Sequence, residues 1–137
     1  YGPGQLPLYI VPQVVRQTME DDKIVIRNGT VVRDLLFVQD CIEAVLKLAV
    51  TPQAANSTFN IGSGRSHTIA EVARAALEAS EQYNVEIIDL EENIEYSPTK
   101  IIADIEKVQS LIDWSPDTTL ERGLKAMFDS YPESRRD

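Results

Sequence analysis

The stretch that most restricts what this chain can become is Lys23 to Asp40, KIVIRNGTVVRDLLFVQD. It holds two β-branched runs, Lys23–Ile26 and Val31–Val38, separated by Arg27-Asn28-Gly29-Thr30. Asn-Gly between apolar runs predicts a tight β-hairpin, because both residues tolerate positive φ. The second run carries a charged pair, Arg33-Asp34, in apolar company. An unpaired charge is costly to bury. Two readings stand. The pair points outward or bonds to itself, or Arg33 is a planar donor fork for a carboxylate or phosphate.

The other elements follow from periodicity and caps. Tyr1–Leu6 reads as a Gly/Pro loop, and Val11, Val14, Val15 and Met19 follow helical spacing to Glu20, with Pro12 tolerated in the first turn. Asp40, with Glu43 three residues on, predicts an N-cap for a helix over Cys41–Val50 that Pro52 ends. Ser57–Ile61 reads as a short buried strand. Thr68 and Glu71 make a capping box for Ile69–Glu81, whose Ile69, Val72, Ala73, Ala76 and Leu77 share a stripe. Val85–Leu90 is strand-like, Glu91–Thr99 a polar loop, and Lys100–Ala103 extended. Ile105–Ile112 predicts a short helix with Val108, Leu111 and Ile112 inward. Thr118 and Glu121 predict a second capping box for Leu120–Ser130, and Pro132–Asp137 a frayed, charged tail. The fold class is α/β, a small α+β-like domain over 1–137, with short strands and five helices.

A chain of 137 residues suffices for a core that buries about two thirds of its unfolded surface. No apolar run approaches the roughly 20 residues of a bilayer span, and no signal-peptide pattern opens it. The first residue is Tyr1, not Met, which leaves a fragment, an isolated domain or a removed leader as readings. A net charge of −9 argues against nucleic acid and anionic membrane as partners, since both need a basic face. It leaves room for an anionic small molecule. The single Cys41 allows no internal disulfide and fits a reducing cytoplasm.

Several site readings resolve toward structure. Gly62-Ser63-Gly64 could cradle an anion before a helix. A dinucleotide fingerprint, however, needs a third Gly or Ala where this chain has His67, so the loop is read as a turn. His67, the sole histidine, is expected exposed in that loop. Asp89, Glu91, Glu92 and Glu95 are expected as solvated carboxylates, and no metal site is predicted.

Five blocks together carry a resemblance: Tyr1-Gly2-Pro3-Gly4-Gln5; I-x-N-G-x-x-x-R-D-x-x-x-V-x-D, from Ile26 to Asp40; Phe59 to Gly64; Ala103 to Lys107; and Trp114-Ser115-Pro116. In this order and spacing they resemble the second half of the extended short-chain dehydrogenase/reductases, the NAD-dependent nucleotide-sugar epimerases and dehydratases. The resemblance implies a substrate-binding portion without its N-terminal Rossmann half. It implies that Arg33 binds the diphosphate of a nucleotide-sugar, that Tyr9 and Ile10 line the nucleotide pocket, and that Ile26 packs near the base. For Ile10 and Ile26, plain core packing stands as an equal reading. A second phosphate-binding Arg, frequent before the Ala103-Asp104 block, is missing from Glu91–Tyr96, and Arg27 is the candidate to replace it. Leu35 stands where an aromatic is usual. The resemblance places the family's catalytic Tyr-x-x-x-Lys upstream of the Tyr-Gly-Pro-Gly block; the one such spacing here, Tyr96 to Lys100, lies far downstream of it, so no catalytic residue and no cofactor site are assigned here, NAD being implied for the whole enzyme. The expected partners are a nucleotide-diphosphate sugar and, for an apolar sheet edge and helix faces left bare, the Rossmann half or a second copy. The alternative is a free-standing, non-catalytic domain that binds a nucleotide-sugar or pairs through that edge.

Overall fold

In the computed structural model, which describes residues 1–92 and 99–132, the chain threads five helices through two small sheets. Helix α1, Ile10–Glu20, starts after an extended Tyr9 and buries Val11, Val14, Val15 and Thr18. A two-residue turn then reverses the chain into β1, Lys23–Arg27, where Ile24 and Ile26 point inward and their neighbours outward. Strand β1 pairs in parallel with β4, Glu86–Leu90, from Lys23 opposite Glu86 to Arg27 opposite Leu90. The second sheet has three strands in the order β3, β2, β5. In it β2, Val32–Arg33, lies antiparallel to β3, His67–Thr68, and parallel to β5, Lys100–Ile101.

The hairpin expected at Asn28-Gly29 does not form. Its two runs go to different sheets. Only Asn28 takes positive φ, 53°, whereas the primed hairpin turn needs it at both central residues. The Asn28 amide donates to the Leu90 carbonyl at 3.0 Å, and its own carbonyl accepts from Val31 N–H at 2.9 Å. The Gly29 amide donates to the Asp89 carboxylate, at 3.0 and 3.1 Å to its two oxygens. A Cβ on Gly29 would run into that carboxylate. The turn is thus tied to β4 and hands the chain across to the second sheet.

The run expected over Val31–Val38 is a strand only at Val32–Arg33, and Val38 already opens α2, Val38–Ala49, behind an extended Phe37. Asp40 is therefore inside the first turn of α2 and not its cap. Its carboxylate accepts from the Thr118 amide at 3.0 Å and the Thr118 hydroxyl at 3.2 Å. Thr118 in turn is not the cap of α5, Leu120–Asp129. That place belongs to Thr119, whose hydroxyl accepts from Arg122 N–H at 3.3 Å. The two residues expected to cap separate helices bond to each other instead, because tertiary contact offered each a better partner than its own helix end. Thr68 and Glu71 do form the expected box at α3, Ile69–Ser80, which ends on Glu81 in the left-handed region. Ser57–Ile61 is not a strand: it runs irregularly after a 3₁₀ turn at Pro52–Ala54, with Phe59 and Ile61 half-buried. Helix α4 spans Glu106–Leu111.

The main core joins α1, β1, α3 and α5 around Val14, Ile24, Ile26, Val72, Ala76 and Leu124. A second cluster seats Ala44 of α2 against Val108, Ile112 and Trp114. The Trp114 indole donates to the Asp40 carbonyl at 3.0 Å. Part of the expected loop Glu91–Thr99 (residues 93–98) and most of the expected tail (residues 133–137) lie outside the described residues.

Candidate functional site

The elements around β1 bring most of the sequence-predicted residues to one end of the molecule. An 11-residue helix rises about 16 Å. A five-residue strand spans about the same. Since α1 turns directly back into β1 and packs on it, Tyr9 and Ile10 return to the end where β1 stops at Arg27. The chain then crosses to β2 at the same end, where the Ile69 amide of α3 bonds the Val31 carbonyl at 3.0 Å. Tyr9 is 61% exposed there, while Ile10 is half-buried against the main core. Ile26 is 1% exposed and sealed among core side chains, so core packing accounts for it and it has no surface to offer a ligand.

Arg33 occupies the middle strand of the three-stranded sheet, opposite His67 on one side and Ile101 on the other. The residue is half-buried, and its guanidinium donates through Nη1 to the Val32 carbonyl at 2.9 Å. His67 is correspondingly half-buried in β3 and not the exposed loop residue expected. Arg27 forms an ion pair with Glu92, both side chains at least half exposed. That acidic neighbour neutralises a cation the sequence offered for phosphate.

What the sequence missed is the use of Asp34. The carboxylate neither points to solvent nor waits for Arg33. It accepts from the Ser63 amide at 2.6 Å, the Ser63 hydroxyl at 2.6 Å, the Gly64 amide at 2.9 Å and the Ala103 amide at 3.1 Å. The glycine turn is an anion cradle, and the anion is internal. Gly64 sits at φ 65°, and a Cβ on Gly62 would collide with Ala103 and come within 2.8 Å of the Asp34 carboxylate. The signal was present: a buried-pattern Asp and an amide-rich Gly-Ser-Gly turn, each lacking a partner, belonged together. The same geometry bears on a dinucleotide. The donors a pyrophosphate would need are spent on Asp34, so this turn does not fit NAD.

Of the acidic cluster, Asp89 binds Gly29 and Glu92 binds Arg27, while Glu95 lies outside the described residues. Among the described residues no three His, Cys, Asp or Glu are placed to hold a metal ion, and no helix is long and apolar enough to cross a membrane. The Tyr1 phenol, half-buried beside Gly123 with its hydroxyl near the Thr119 and Leu120 carbonyls, is pushed well above the usual tyrosine range, first by loss of solvent and then by Glu121 and Asp40.

The family model described as GDP-mannose 4,6 dehydratase matches residues 2–127, nearly the whole chain. The chain belongs to this family of extended short-chain dehydrogenase/reductases, the NAD-dependent sugar epimerases and dehydratases. It corresponds to the family's C-terminal portion. Similar proteins include dTDP-glucose 4,6-dehydratase 1 of Escherichia coli K12, 26% identical over 96% of this chain and 38% of that protein. They include an uncharacterised UDP-glucose epimerase of Bacillus subtilis, 25% identical over 90% of this chain and 39% of that one. UDP-glucuronic acid 4-epimerase of Bacillus cereus, solved with UDP-glucuronic acid and NAD, superposes with a TM-score of 0.83 at 27% identity, over 95% of this chain and 41% of that one. This chain thus spans about two fifths of these relatives. The small α/β fold of five helices and short strands superposes on part of a longer chain, consistent with a partial domain.

Proposed function

We propose that this chain is the substrate-holding portion of an NAD-dependent nucleotide-sugar epimerase or dehydratase, and that it grips the nucleotide diphosphate through Arg33. The observation that carries the reading is the setting of Arg33. Arg33 is half-buried on the middle strand of a three-stranded sheet, six residues beyond the Arg27 end of β1. A guanidinium presents a flat, fixed-charge donor fork that matches two phosphate oxygens, which lysine cannot do. Partial burial strengthens such a contact by lowering the local dielectric. Tyr9 and Ile10 would flank the nucleotide, and Arg27 would serve only when Glu92 releases it. Binding energy from the unreactive nucleotide would position the sugar for hydride transfer on a cofactor held elsewhere. The relatives' greater length supports such a division of labour, as does the glycine turn already filled by Asp34. A free Cys41 thiol suits work in the cytoplasm.

The same reading assigns a cover to the bare face of α2. Ile42 and Leu46 of that helix, and Val50 just past its end, are 53%, 63% and 81% exposed. An apolar stripe of this extent on a helix calls for a partner. We assign the NAD-binding half to it. A non-catalytic domain that self-associates through this face is the second reading.

Calorimetric titration with UDP-glucose, dTDP-glucose and GDP-mannose tests the clamp. Arg33→Ala should weaken the preferred ligand by at least about tenfold, the scale of a lost charge-assisted hydrogen bond. Unchanged affinity would leave the self-associating domain as the better account.

A further inference from the structure

An arginine that must hold a diphosphate needs a backbone that stays in place, and β2 is a weak support by itself. It pairs over two residues with β3 and over two with β5. Strands in globular proteins usually run to about five or six. Asp34, one residue past Arg33, supplies what the short ladders lack. Its Oδ1 takes the Ser63 amide and hydroxyl, and its Oδ2 takes the Gly64 and Ala103 amides, all between 2.6 and 3.1 Å. Ser63 and Gly64 lie in the loop that leads into β3, and Ala103 follows β5 by two residues. One carboxylate therefore spans both neighbours of the strand that carries Arg33. The Asp34 amide adds a bond to the Ile101 carbonyl of β5 at 3.0 Å. Gly62 has no room for a side chain beside this carboxylate, so the loop is shaped around it.

We propose that Asp34 is a positioning residue for the nucleotide clamp, its carboxylate fixing β2 between the glycine turn and Ala103 so that Arg33 presents its guanidinium to the diphosphate. The proposal rests on the reading of Arg33 given above. Charged acceptors make the stronger hydrogen bonds, and three amides aimed at one carboxylate form a rigid anchor. Removing that carboxylate leaves the donors in place around a small gap. A free carboxylate of the right size, formate, can then stand in for it.

The experiment titrates UDP-glucose, dTDP-glucose and GDP-mannose into the unmodified chain and four variants, in formate and in chloride at equal ionic strength. Arg33→Ala should lose about tenfold in affinity in either salt. Asp34→Ala should lose about as much in chloride and regain most of it in formate, with the Arg33 Nε–H resonance moving away and returning in step. Ser63→Ala, which removes one hydroxyl donor and folds even if Asp34→Ala does not, should lose about two- to fivefold. Val72→Ala, a core change that removes no donor to Asp34, should lower the melting temperature yet keep affinity within about twofold. If Arg33→Ala binds as well as the unmodified chain, or no ligand binds at all, the clamp itself is wrong. If Arg33 matters while Asp34→Ala and Ser63→Ala bind normally, the clamp stands and the positioning role of Asp34 is overturned. Equal losses in Asp34→Ala and Val72→Ala, with no response to formate, overturn it as well.

Discussion

Thr68 holds the start of α3 from both directions, and it shows how much one residue can settle. Its hydroxyl accepts from Glu71 N–H at 3.1 Å while the Glu71 carboxylate accepts from the Thr68 amide at 2.8 Å. Thr68→Ala should cost about 1 kcal/mol in the urea-unfolding free energy, the usual price of an N-cap. Glu71 is held below the ordinary glutamate pKa, first by the Thr68 backbone amide and then by its hydroxyl. A depressed folded pKa means stability present above the unfolded value and lost as pH falls through the folded one. The stability gap between the unmodified chain and Glu71→Gln should therefore be open near neutral pH and close in acid. A gap that widened in acid would contradict the sign. The box was legible in the sequence because it is a local bond, three residues apart. Asp40 and Thr118 were not, because their bond joins residues that only the fold makes neighbours.

At the scale of elements, α2 is the helix whose partner is least provided for. Asp40 and Ala44 are its buried residues, while Ile42, Leu46 and Val50 form an outward apolar stripe. Ile42→Glu with Leu46→Lys should leave stability within about 0.5 kcal/mol, since neither side chain is packed. In sedimentation velocity the double variant should be less prone to self-association than the unmodified chain. A loss of more than about 2 kcal/mol would mean that the face is packed internally after all. The clasp of Lys107 over the Phe59 ring at 4.6 Å, with its ammonium on the Thr58 carbonyl at 2.7 Å, ties Ser57–Ile61 to α4. That segment was expected as a strand from its apolar residues, yet a strand needs a neighbour to bond with, and none of the described residues supplies one.

For the whole molecule, stability rests on the cluster shared by α1, β1, α3 and α5. Leu124 of α5 is fully buried in it. Leu124→Ala should cost about 2–5 kcal/mol in chemical denaturation. A loss below about 1 kcal/mol would place α5 outside the cooperative core. The sequence by itself determined what depends on near neighbours. It determined the five helices from their spacing and caps, the capping box at Thr68, and a family pattern carried by motifs in fixed order. Only the tertiary structure decided which strands pair, because a turn sets where a chain can go and not which edge it meets. β1 took β4 in parallel in preference to the run beyond Asn28-Gly29. Only the structure, too, gave the glycine turn its anion. Asp34 and Ser63 stand 29 residues apart, and hydrogen bonding over that span is a property of the folded chain, since no local rule couples residues so distant.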